Sequence, residues 1–228
     1  AMTAARFAEA VEKNPQGKTL NMKLAQLLVD VFRSQSVAVL GNVVVAMGLA
    51  ALIAFVYQHQ TGEPLMNSEN IAYQLHRIDP LDGSLWFAAI AGVWLFCSGI
   101  ISGYFDNRSN YLNMRMRLAQ HPLLKKLMSE KSRVKFANYM HENYGSLIGN
   151  FCFGMLLGLT GLVGYLTHLP LDIRHVAFSS ANLGYSAVSG QFAYPFFLQC
   201  IAFVLLIGLV NLIVSFSLTL WVALRSLN

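Results

Sequence analysis

Residues 196–224 read FFLQCIAFVLLIGLVNLIVSFSLTLWVAL, a run without a single Lys, Arg, Asp, Glu or His. A helix crossing the hydrocarbon core of a bilayer needs about 20 mostly apolar residues. This run exceeds that length, so it is expected to tilt or to protrude. Residues 37–57, 84–105 and 147–167 are equally free of charge. The whole chain of 228 residues is 55% hydrophobic and 12% charged, against about 25% charged residues in an ordinary soluble domain. Its charges fall in blocks between the apolar runs. The pattern excludes a soluble enzyme, a disordered tail, a collagen and a disulfide scaffold. It predicts an all-α integral membrane bundle of four spans.

The basic residues set the orientation. Of the 16 Lys and Arg, five lie in residues 1–37, eight in 105–146, and Arg225 near the C-terminus. The intervening segments hold only Arg77, among Glu63, Glu69, Asp79 and Asp82, and Arg174 beside Asp172. The positive-inside rule assigns the basic side, with both termini, to the cytoplasm. The net charge of +5 is then topological and suits anionic lipid headgroups. Direct nucleic-acid binding by this domain is not expected. Residues 1–36 read as a cytoplasmic amphipathic segment and 37–228 as the helical membrane domain. No short apolar core with a cleavage site opens the chain, so no secretory leader is expected.

The cytoplasmic loop 106–146 is expected to be helical. Asn110–Gln120 carries Arg115 and Arg117 on a short basic amphipathic helix that suits the headgroup layer. His121-Pro122 breaks it, and a second helix, about 123–144, places Lys125 and Lys126 on its polar face. These helices either cap the bundle or dock a partner or an anionic lipid. In the third span Gly149, Gly154, Gly158 and Gly161 allow close helix approach, within one bundle or in a homo-oligomer. Asn42, Asn150 and Asn211 place one amide in each of three spans, for interhelical hydrogen bonds or for the lining of a transport path.

Candidate chemistry concentrates in HLPLDIRHVAFSSANLGY at 168–185. Pro170 ends the third span, and Asp172 is positioned to cap a short helix over 173–189. That helix is re-entrant, interfacial or a short broken span. Asp172 with Arg174 or His175 would anchor its start, or the cluster would form a hydrated site for a substrate or ion. Metal binding through His168, Asp172 and His175 follows no standard spacing. A Ser179 or Ser180 nucleophile with His175 as base would need the two side chains to meet. Cys97, Cys152 and Cys200 form no CxxC and read as buried apolar side chains. His141-Glu142 begins like a zinc-protease motif, but Gly145 stands where the second His belongs. Neither a phosphate-binding loop, a dinucleotide fingerprint nor GxSxG occurs. No catalytic residue, metal or cofactor is assigned.

GYFDNRSNYLNMRMRLAQHP at 103–122, GNFCFGMLLG at 149–158 and above all LPLDIRHVAFSSANLGY at 169–185 resemble a bacterial integral-membrane family labelled site-specific recombinase. The resemblance covers about 30–225 and implies the C-terminal membrane domain of a longer protein in the bacterial inner membrane. By that resemblance Asp172, Arg174, His175, Ser179, Ser180 and Asn182 belong to the family signature and form the candidate functional cluster. Three functions stay open: a membrane anchoring and assembly module, a transporter or channel-like module with a polar site at 172–182, and an enzyme, including the recombinase of the label.

Overall fold

The computed structural model describes residues 17–190 and 192–225. Its elements are α1 (Gly17–Thr61), α2 (Ser68–Ile78), a 3-10 turn (Pro80–Asp82), α3 (Ser84–Tyr111), α4 (Met114–Gln120), α5 (Pro122–Leu127), α6 (Glu130–Thr167), α7 (Val176–Ser189) and α8 (Tyr194–Arg225). No strand occurs among the described residues. Four stretches are long and apolar enough to cross a membrane: Arg33–Thr61, Ser84–Tyr111, Glu130–Thr167 and Tyr194–Val222. The fold is an all-helical bundle of membrane character.

Helix boundaries depart from the sequence reading in four places. α1 runs unbroken through the boundary expected at 36/37; residues 1–16 of the expected N-terminal segment lie outside the described residues. The acidic stretch before α3 contains α2, an element the composition had hidden. Asn67 caps it by accepting from Asn70 N at 2.8 Å, and Ile71 and Ile78 are buried on its inner face. The loop helix expected over 123–144 and the third span are one helix, α6, starting at Glu130 behind the Ser129 cap. Gly145 does not break it, because the residue sits where α6 and α3 touch: its N–H lies 2.9 Å from Asp106 Oδ1. The short helix begins at Val176 rather than 173. The expected break at His121-Pro122 separates α4 from α5, with Pro122 in the first helical turn.

The packing has two linked parts. α7 lies along α1, and the Gly184 backbone approaches the Met47 carbonyl so closely that a Cβ would collide with it. Val43, Ile78, Ala88, Val176, Leu183, Val204 and Ile207 form the core around this contact. α3 packs between α6 and α8, with Gly149 against Ser102 and Gly92 against Val214. The bundle is inside-out compared with a soluble one. Val37, Val44, Val45 and Leu49 on α1 and Phe151, Met155, Leu159 and Leu162 on α6 face outward, a far larger apolar surface than water tolerates. Against lipid chains that surface carries no penalty.

Candidate functional site

The site is built on the chain between α6 and α7. α6 ends at Thr167, and His168 takes a left-handed turn (φ 56). The chain then folds back alongside α6. Leu171 O fills the space beside Gly164, Ile173 packs with Leu157 and Ala91, and the His175 ring reaches Phe153. This extended segment satisfies its polar groups partly from within, as where Ile173 N donates to Asp172 Oδ1, and partly from other elements, Arg174 N donating to Phe87 O at 3.5 Å and Asn211 donating to Arg174 O.

Asp172 and Arg174 form the centre. Arg174 Nη1 pairs with Asp172 Oδ2, and the Arg174 side chain is only 9% exposed. Its Nε donates to Arg77 O at 2.7 Å and its Nη1 to Ile173 O at 3.2 Å. Arg77, from α2, donates through Nη2 to Asp172 Oδ1 at 2.8 Å. The same carboxylate oxygen accepts from Ile173 N at 2.7 Å. Asp172 therefore does not cap α7, because its oxygens are engaged by two guanidiniums and its neighbour's amide. Burial pushes the Asp172 carboxyl up, but the hydrogen bonds from Arg174 and Ile173 N and the two positive charges outweigh it. The net result is a pKa below the usual carboxylate value. Arg77 and Arg174 are also the two basic residues that fall outside the basic side of the chain. Each stands where it does against a shared counter-charge.

The N-terminus of α7 is capped from two directions. Asn211, on α8, accepts from Val176 N at 3.1 Å and donates to Ala88 O at 2.7 Å and Arg174 O at 3.0 Å. One buried amide thus ties α3, α7 and α8 together. His175 Nδ1 accepts from Ala177 N at 3.4 Å, with the ring edge-on to Phe153 and Phe178. Burial alone lowers the His175 pKa to about 4. The sign follows from proton linkage: the unfolded chain binds this proton near pH 6.5 and the folded one near 4, so stability falls as pH drops between those values. Protonation would also turn the cap's acceptor into a donor. His175→Gln is expected to flatten the melting temperature between pH 7 and pH 5 relative to the parent. An unchanged pH slope would show that His175 does not carry it.

A family model described as "Site-specific recombinase" matches residues 1–228. The chain belongs to the site-specific recombinase family. Comparison with curated proteins and with solved structures gave no match to either.

In this site-specific recombinase family member the serines of the candidate cluster are not drawn to His175. Ser180 Oγ donates to Val176 O at 2.6 Å, and no hydrogen bond joins the His175 ring to Ser179 or Ser180. Ser179 and Asn182 instead line a pocket of about 390 Å³ with Arg77 and Arg174. His168, Asp172 and His175 are not gathered: among the described residues no three His, Cys, Asp or Glu side chains stand together as a metal site. Cys97, Cys152 and Cys200 are free. The three amides do not converge either. Asn42 is exposed on α1, Asn211 is the buried cap, and Asn150 lines a separate cavity of about 420 Å³ with Ser98, Ser102, Ser215 and Thr219. Of the α6 glycines, Gly149 packs inside against Ser102, while Gly154, Gly158 and Gly161 meet nothing within 4 Å. Arg115, Arg117, Lys125 and Lys126 are exposed beside Met116, Leu123 and Leu127. Arg133 Nε fastens this region by donating to Ala119 O at 2.6 Å.

One residue of the site, Arg77, was not singled out from the sequence, and another, Asn211, was singled out for a different role. Arg77 had a signal, being the lone Lys or Arg among four acids in 58–83. Asn211 was recognised as a packing amide, but its role as a cap depends on α8 meeting α7, which no local pattern announces.

Proposed function

We propose that this chain is a membrane anchoring and assembly module, embedded in the bacterial inner membrane with both termini in the cytoplasm. The observation that carries this reading is the use made of the signature: Asp172 and Arg174, with Asn211, are engaged in holding 168–189 against α2, α3 and α8 rather than in a reactive constellation. The course of that segment supports a re-entrant excursion. It leaves the end of α6, runs back beside Leu157 and Phe153, and α7 then returns until Ser189 meets Met66 N. Both ends of the excursion are then on the side opposite the basic loops. The exposed Arg115, Arg117, Lys125 and Lys126 beside apolar side chains suit anionic lipid on the cytoplasmic face. The open face of Gly154, Gly158 and Gly161 suits contact with a second copy or another membrane helix.

Three measurements test the reading. Membranes containing the protein, washed with alkaline carbonate, retain it if it is embedded; release into the supernatant overturns the reading. In a variant without Cys97, Cys152 and Cys200, Ser189→Cys reacts in intact cells with a membrane-impermeant thiol reagent. Reaction only after the cells are opened would make 168–189 a crossing segment. Finally, a DNA-recombination reporter with the full-length protein responds alike to parent, His175→Ala and Ser179→Ala. Loss of recombination in variants that still fold would make the domain catalytic.

The cavity beside Asn150 favours a second reading, a channel-like module. That reading requires water in the cavity, so Asn150→Cys would then react with the same reagent; a silent cysteine there removes it.

A further inference from the structure

The pocket between α2 and α7 has an excess of positive charge that its own residues do not neutralise. Two guanidiniums, Arg77 and Arg174, share one carboxylate, Asp172. Of the other acids in 58–83, Asp79 accepts from Leu81 N at 2.9 Å and Asp82 lies 3.1 Å from His76 Nε2, while Glu63 and Glu69 are exposed. Both arginines line the pocket, and no acid does. Arg174 directs Nε and Nη1 to protein oxygens, and Arg77 directs Nη2 to Asp172. Arg77 Nε, however, is buried and has no hydrogen-bond partner. A buried charged donor without an acceptor is costly and rare in a settled structure. The remaining polar lining comes from Gln74, Ser179, Asn182 and Tyr185, all able to donate to an oxyanion. Ile78, Ile173 and Phe178 supply apolar wall. The volume of about 390 Å³ exceeds that of one tetrahedral anion and leaves space for what it is esterified to.

We infer that this pocket binds a phosphate group, with Arg77 as its principal donor and Asn182 and Gln74 beside it. Guanidinium is the side chain best matched to phosphate oxygens. An incoming anion balances the charge left over by Asp172. The group comes either from a phospholipid headgroup of the leaflet at α2 or from free phosphate on that side. The headgroup source rests on the membrane-embedded reading; the free-phosphate source does not, so the two fail separately.

The test uses the purified protein in a neutral detergent and in nanodiscs, read by thermal melting. Phosphatidylglycerol doped into phosphatidylcholine nanodiscs, or inorganic phosphate titrated into protein in phosphatidylcholine alone, is expected to raise the melting temperature saturably. A response to the lipid alone assigns a headgroup site, and a response to inorganic phosphate assigns a free-anion site. Arg77→Lys keeps the charge opposite Asp172 but removes the planar guanidinium fork, and is expected to weaken the effect about tenfold in the concentration required. Asn182→Leu, which leaves the ion pairs alone, guards against misfolding of the first variant and is expected to weaken it too. Arg115→Gln with Lys125→Gln, on the cytoplasmic helices, should retain the full response. No stabilisation by either probe overturns the inference. So does a response that Arg77→Lys and Asn182→Leu share in full, or one that disappears with Arg115 and Lys125.

Discussion

Gly184→Ala lowers the melting temperature of the purified protein by about 3–10 °C, while Gly158→Ala raises it by about 2–4 °C. The contrast follows from what each added methyl meets. At Gly184 it meets the backbone carbonyl of Met47, which has no rotamer by which to withdraw. α7 must lift from α1 along the contact that orders the core of Val43, Val176 and Leu183. Overpacking of this kind costs about 1–3 kcal/mol, and each kcal/mol moves the midpoint of a chain this size by about 2–4 °C. At Gly158 no atom lies within 4 Å, and Ala is the better helix former by about 1 kcal/mol. Differential scanning fluorimetry in one detergent decides the matter. Equal losses in the two variants would mean that α7 is not seated on α1 at Gly184.

The second large effect is expected from Asp172→Asn. It removes the negative charge between two guanidiniums, one of which is almost wholly buried. Breaking a buried ion pair from one side costs about 3–5 kcal/mol. Asp172 retains a third of its side-chain exposure, so the lower end, about 3 kcal/mol, is expected. Adding Arg77→Gln should recover part of this loss, because the surviving charges no longer repel. The effect also has a pH signature. The folded-state pKa of Asp172 lies below its unfolded value, so its stabilisation is complete above about pH 4 and disappears as pH falls through the folded value. Melting curves of parent and Asp172→Asn, well separated at pH 7, should converge below pH 4. A gap that stays constant to pH 3 would show that the carboxylate's charge is not what stabilises the site.

The spans were legible because nothing but lipid explains four runs without charge. Their ends were not. The loop helix ending near 144 and the span starting at 147 read as separate elements, yet α6 runs through Gly145, where Asp106 and Ser102 of α3 leave no room for a side chain. Asp172 has the right chemistry for a helix cap and the right place in the chain, and an isolated peptide would use it so. In the folded chain Arg174 and Arg77 engage its oxygens, and the cap passes to His175 and to Asn211, 35 residues away in sequence. The Asp172–Arg174 pair was readable from adjacency. Its third member was not, because Arg77 is separated from Asp172 by 95 residues and lies on α2, a helix that the reading of 58–83 by charge alone did not assign. Local chemistry marked where polar groups collect; only the packing decided which of them meet.

The hydrogen bond from Asn211 to Ala88 O also sets a height difference. Asn211 lies seventeen residues into α8 and Ala88 four residues into α3. At 1.5 Å per residue, the thirteen-residue difference starts α8 about 20 Å before its parallel neighbour. The apolar runs of α3 and α8, the belts that lipid would meet, therefore begin at different levels. A flat bilayer of about 30 Å covers both belts only if the helix axes lean strongly from its normal, or if one leaflet bends to follow the step. Embedded in this way, the protein would press its own contour on the surrounding lipid. It should settle most readily where a membrane is already thin or curved.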